Sequence, residues 1–127
     1  MTKREHWKSE PDEHDYPAAA DYLSLVFTET QVAATVAALR AAPIVHRKAK
    51  DLLRASGLEL LPESNVHVAK DLGKVKDGTA LSPVLVVRGD ATRGLPLIVA
   101  DGYHRICASH VLDEDADIPC RFADRPS

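Results

Sequence analysis

Hydrophobic and polar positions along the chain change period more than once. Residues 1–17, MTKREHWKSEPDEHDYP, are dominated by charge and proline and predict a loose polar arm or an oligomer contact, with Trp7, their one large apolar side chain, packed either on its own domain or on a partner subunit. The apolar run at 16–27 fits either a short helix or a strand. At Thr28 the pattern turns helical. Thr28 and Gln31 form a capping box, Val32, Val36 and Leu39 repeat on one face, and Pro43 forbids continuation. A second short helix is predicted over 47–56, with Leu52 and Leu53 inward, the charges of Arg47, Lys48, Lys50 and Arg54 solvated, and Gly57 as its stop. Asn65 caps a third, in which Val66, Ala69, Leu72 and Val75 share a face and Gly78 closes the element.

Beyond Gly78 the helical period gives way to continuous apolar runs. Residues 84–87 and 95–100 read as paired strands joined by the turn GDATRG, and their lack of alternation predicts cover on both faces. Asp101-Gly102 ends the second strand, a helix follows over 103–112, and 118–122 supply a last strand. This order, helices first and then strand, turn, strand, helix, strand, predicts a single α+β domain. Its core spans about 63–124, with a helical elaboration over about 18–62.

Composition narrows the function classes. In 127 residues, 16 Lys and Arg stand against 19 Asp and Glu, a formal net charge of −3, which lacks the basic excess that general phosphate-backbone binding uses. No apolar stretch approaches the roughly 20 residues of a bilayer span, and the N-terminus is charged, so a cytoplasmic protein without membrane contact is expected. Cys107 and Cys120 lack CxxC spacing and read as buried, inert thiols, while the six histidines show no metal-binding spacing. No metal site is expected.

One stretch carries chemistry. Residues 97–110 run from a buried strand through Gly102 into a helix, whose first unpaired amides then face outward at the strand's end. His104 and Arg105 lie in that first turn, where a cation opposes the helix dipole by about 0.3–1 kcal/mol. A bound phosphate or carboxylate reverses that cost. Arg105 offers a planar fork of donors, His104 one further donor, and Gly102 close backbone approach. The plainer alternative pairs Arg105 with Asp101 or an acidic loop residue and leaves His104 capping a buried carbonyl.

The block from Asn65 to Phe122, with Lys76-Asp77-Gly78, then Leu81-Ser82-Pro83-Val84-Leu85-Val86-Val87, then Asp101-Gly102-Tyr103-His104-Arg105, resembles the ParB N-terminal domain/sulfiredoxin superfamily over a little under half the chain. The resemblance implies a small mixed sheet flanked by helices, and a G-x-x-R signature, here Gly102 to Arg105, that binds nucleotide phosphates at the helix start. It further implies that Ser82 and Pro83 line a base pocket, and that the ligand is a nucleotide di- or triphosphate with Mg²⁺ or another phosphorylated small molecule. Tyr103 is placed to stack on a base or donate its hydroxyl.

The departures restrict this picture. Tyr103 stands where sulfiredoxins carry the catalytic cysteine, so sulfinic-acid reduction is not expected, and the glutamate of the ParB form GERR is missing. No helix-turn-helix follows the last strand, so centromere-type DNA binding is not expected either. A related form, D-G-x-x-R, occurs in free serine kinases, and a kinase or phosphohydrolase needs a carboxylate base. Asp101 and Glu63 are the candidates, with Asp71 behind them; each also reads as an ordinary turn, loop or helix residue. His67 either faces the pocket or lies at the surface. The alternatives to nucleotide binding are such an enzyme, or a non-catalytic oligomer, such as a homodimer built through the arm, or a DNA-associated accessory.

Overall fold

Apolar runs without alternation bury both faces of a strand, and the sheet is built around one such run. The computed structural model describes residues 5–127. It holds strands β1 (Ile44–Lys48), β2 (Val84–Val87), β3 (Ile98–Asp101) and β4 (Asp117–Ala123), in the spatial order β1-β4-β2-β3. β2 is wholly buried, antiparallel to β3 and parallel to β4, and β1 closes the far edge antiparallel to β4. The fold is a mixed α+β one.

Helices cover both faces. Helices α1 (Asp15–Leu23) and α2 (Glu29–Ala41) bring Tyr16, Ala19, Leu23 and Leu39 against Leu85 and Val87 of β2. Helices α3 (Ala49–Ser56), α4 (Val66–Lys76) and α5 (Tyr103–Leu112) bring Leu52, Leu53, Val68 and Ile106 against Val84 and Val86. The two-residue period of a strand sends alternate side chains of one four-residue segment into two separate cores. Several predicted features hold. The Thr28 capping box forms with both of its bonds, Asn65 accepts from the amides of His67 and Val68, Gly57 ends α3 at φ 68°, and α5 spans the predicted residues. Cys107 and Cys120 are free and buried, and burial pushes the Cys120 thiol up to about 12.

Five expectations are corrected. The predicted helix over 47–56 starts only at Ala49, because residues 44–48 extend to pair with β4, Val45 opposite Cys120 and Arg47 opposite Ile118. The exposed charges of Arg47 and Lys48, which read as part of a solvated helix face, are those of a protected sheet edge. Regular pairing in β3 covers Ile98–Asp101, while Leu95 bridges back to Asp90 within the turn. The ambiguous run at 16–27 resolves as α1, which starts at Asp15, inside the predicted arm. On α4 the buried positions are Val68, Asp71 and Val75, with Val66 73% exposed and Ala69 also at the surface.

The arm itself is the fifth. Lys8 donates to the Leu81 carbonyl at 2.8 Å, Leu81 donates to the His6 carbonyl at 2.7 Å, and Trp7 packs on the α3–α5 core. The Ser109 hydroxyl donates to Glu5 at 2.5 Å. Polar residues that lack apolar area to bury are held by backbone pairing and one tryptophan; residues 1–4 lie outside the described part. No helix among the described residues is long and apolar enough to cross a membrane.

The corrected face of α4 has a measurable consequence. Val68→Ala removes two fully buried methyl groups and should cost about 2 kcal/mol, whereas Val66→Ala should stay within about 0.5 kcal/mol of wild type. Urea denaturation of the two variants makes the comparison, and equal costs would restore the predicted face.

Candidate functional site

β3 ends on Asp101, the chain turns on Gly102 at φ 111°, and α5 begins at Tyr103. Two constraints fix glycine here. The backbone is left-handed, and a Cβ at this position would lie 2.8 Å from Val84 Cβ and 2.9 Å from Arg105 Nη2. Gly102 supplies no side-chain cap, and the Ile106 amide is bonded to its carbonyl at 3.0 Å. The amides before Ile106 are those that an α-helix leaves without internal partners. They open beside a cavity of about 140 Å³ lined by Asp71, Asp101, Gly102, Tyr103, His104 and Arg105.

Arg105 is held by carboxylates. Its Nη2 donates to Asp101 Oδ2 at 2.7 Å and its Nη1 lies 3.8 Å from Asp15 Oδ2. The same Asp15 oxygen accepts from the Ser82 hydroxyl, and Ser82 Oγ accepts from the Asp12 amide at 2.9 Å. Arg105 Nε is buried with no hydrogen-bond partner. The plainer alternative for Arg105 is thus what the fold adopts, with a second acid, Asp15, joining Asp101. Burial raises the pKa of the Asp101 carboxyl above its ordinary value, against the opposing pull of Arg105.

Among the described residues, His104 caps no carbonyl. Its ring lies 4.6 Å from that of His67 and 5.5 Å from that of Tyr103, centroid to centroid. Burial, and then the neighbouring His67, hold its pKa below the ordinary 6.5. The Tyr103 hydroxyl donates to the Glu59 carbonyl, which fixes the ring, and burial raises its pKa.

Of the residues singled out in the sequence, the fold brings Asp71, Asp101, Gly102, Tyr103, His104 and Arg105 around one cavity. Ser82 and Pro83 are buried beneath the turn and do not line that cavity, so Ser82 acts there as a support for Asp15. Glu63 is exposed in the loop before α4 and is not among the lining residues. Asp15 was missed, because nothing local separates it from the other acids of its segment. Asp12, His14 and Asp15 also bring one ligand atom each within 4.8 Å of one another, with the Asp15 carboxylate already committed to Ser82 and Arg105.

Fold and site together define a class: a small α+β domain in which an edge strand, β3, ends in an uncapped strand-to-helix turn backed by a partly buried arginine. Comparison with protein-family models, with curated proteins and with solved structures finds no match.

Two outcomes follow from this geometry. Gly102→Ala imposes a strained φ and a collision with Val84, and should cost at least about 2 kcal/mol, read as a fall in Tm. In an NMR pH titration His104 should titrate below 6.5, and His67→Ala should move its midpoint upward. A histidine lowered in the folded state binds fewer protons folded than unfolded, so its contribution to stability is present above 6.5 and is lost as pH falls through the folded value. Asp101 has the opposite sign: its raised value favours folding when protonated, and that contribution is lost as pH rises through the folded value.

Proposed function

We propose that the protein binds the phosphate end of a nucleotide, as its magnesium complex, at the turn from Gly102 to Arg105. The observation that carries this reading is the uncapped first turn of α5 opening onto the 140 Å³ cavity beside Arg105. Backbone amides at a helix start, with a guanidinium behind them, stabilise an anion without a conformational change. The space suits phosphate rather than a whole nucleoside, which needs about 300 Å³ or more. On this reading the base and sugar lie at the open mouth.

Charge decides the form of the ligand. Asp71 and Asp101 line the cavity, and Asp15 lies behind Arg105, so a bare polyphosphate would meet carboxylates. Hard oxygen donors of this kind suit Mg²⁺, which travels with nucleotide phosphates and would be held by Asp71 and Asp101. The G-x-x-R resemblance to the ParB/sulfiredoxin superfamily supports the same placement. Binding is favoured over kinase or phosphohydrolase turnover, since Asp101 Oδ2, the nearest candidate base, is the acceptor for Arg105.

Calorimetric titration of ATP, ADP, CTP and GTP, each with Mg²⁺, should show micromolar binding of at least one nucleotide by the wild type. The His104→Ala, Arg105→Ala double variant should bind at least about tenfold more weakly, a loss of about 1.4 kcal/mol. EDTA should weaken the wild-type interaction. Because Arg105 balances buried acids, circular dichroism of the double variant and titration of His104→Ala alone separate loss of the site from loss of the fold. A wild type that binds none of the four at millimolar concentration overturns the reading.

A further inference from the structure

A second and roomier cavity lies at the other end of the β2–β3 pair from the Gly102 turn. It measures about 410 Å³, within the range of small-molecule sites, and lies between α3, the turn after β2 and the ring of Phe122. Its floor is apolar, from Leu52, Leu95, Leu97 and one face of Phe122. The wall is preformed. Asp90 and Leu95 exchange backbone hydrogen bonds at 2.8 and 2.9 Å, and the Leu97 amide is tied to the Ala55 carbonyl at 3.0 Å. Gly89 packs so closely that a Cβ there would stand 2.7 Å from the Leu97 nitrogen. A ligand entering this space would have little chain to order.

Four charged side chains line the cavity, and three are committed elsewhere. Arg88 donates to Asp124 at 2.9 Å, Asp51 accepts from Arg54 at 3.2 Å, and Asp90 accepts the Thr92 hydroxyl at 2.6 Å. Arg47 differs. Among the described residues no carboxylate pairs with it; its hydrogen bond goes to the His46 carbonyl at 3.5 Å, and its guanidinium carbon lies 5.7 Å from the Phe122 centroid. Arg88 approaches the same ring at 5.5 Å. The cavity therefore combines an apolar floor, an aromatic ring near two guanidinium groups, and one guanidinium fork with no carboxylate partner among the described residues.

We infer that this cavity is a second ligand site, for a small aromatic carboxylate whose ring lies on the apolar floor beside Phe122 and whose carboxylate is gripped by Arg47. A single planar fork matches a carboxylate in two parallel hydrogen bonds. Asp51 and Asp90 are already bonded to Arg54 and Thr92, so Arg47 alone is left to meet a ligand's charge, and one guanidinium balances one carboxylate. Flat aromatic ligands pair with Phe122 in the offset or edge-on geometry that rings prefer.

The test uses naphthalene-2-carboxylate and its neutral counterpart 2-naphthylmethanol, titrated into the ¹⁵N-labelled full chain. The carboxylate should shift the amides of Ala55, Gly89, Asp90 and Leu97, and should bind at least about tenfold more tightly than the alcohol. Arg47→Gln lies on an exposed sheet edge, leaves the core intact and should erase that preference. Ala55→Trp, at the exposed rim, should block both probes. Absence of shifts at millimolar probe, shifts centred on the α5 turn, equal affinity for acid and alcohol, or a preference that survives Arg47→Gln would each overturn the inference.

Discussion

Val84 is held by two constraints at once, and much of the molecule is arranged around satisfying both. As the first residue of β2 it is fully buried under the α3–α5 layer, and it also stands where Gly102 must pass with no side chain. β2 is paired on both edges and covered on both faces, so displacing Val84 would disturb two cores and two ladders together. The close approach at Gly102 is therefore enforced by the interior. The uncapped turn at the start of α5 thus follows from packing as much as from local sequence.

The second organising feature is electrostatic. Arg105 reaches from the first turn of α5 to Asp101, one residue before the turn, and to Asp15 at the start of α1. It thereby joins the helix layers on the two faces of the sheet. A nearly buried guanidinium needs such partners, and two carboxylates supply them at the expense of leaving Nε without one. The N-terminal segment takes part in the same arrangement: its Asp12 amide supports Ser82, and Ser82 supports Asp15. A segment with almost no apolar content is ordered because it serves a buried charge and adds the Trp7–Leu81 bridge.

The two ends of the β2–β3 pair differ in chemistry because they differ in backbone. At the Gly102 end a helix start presents amides to a small, charged cavity. At the Gly89 end a hydrogen-bonded loop borders a larger, mostly apolar space lined by the Arg47 guanidinium, which has no carboxylate partner among the described residues. Glycine serves opposite purposes at the two ends. Gly102 opens a turn toward the surface, and Gly89 lets two backbone segments close on each other.

By itself the sequence determined the elements whose causes are local. The Thr28 capping box, the Asn65 cap, the stop at Gly57, the wholly apolar β2 and the strand-turn-helix at Asp101–Arg105 each depend on residues within a few positions, and each was legible there. Tertiary structure decided what depends on distant partners. β1 exists because β4 offers an unpaired edge more than seventy residues away in sequence. The face of α4, the ordered arm, the binding of Arg105 by Asp15 and the placement of Arg47 beside Phe122 likewise come from contacts that no local period encodes. Caps and strand propensities are satisfied within a turn of chain, whereas edge pairing and buried-charge neutralisation are settled only when remote segments meet.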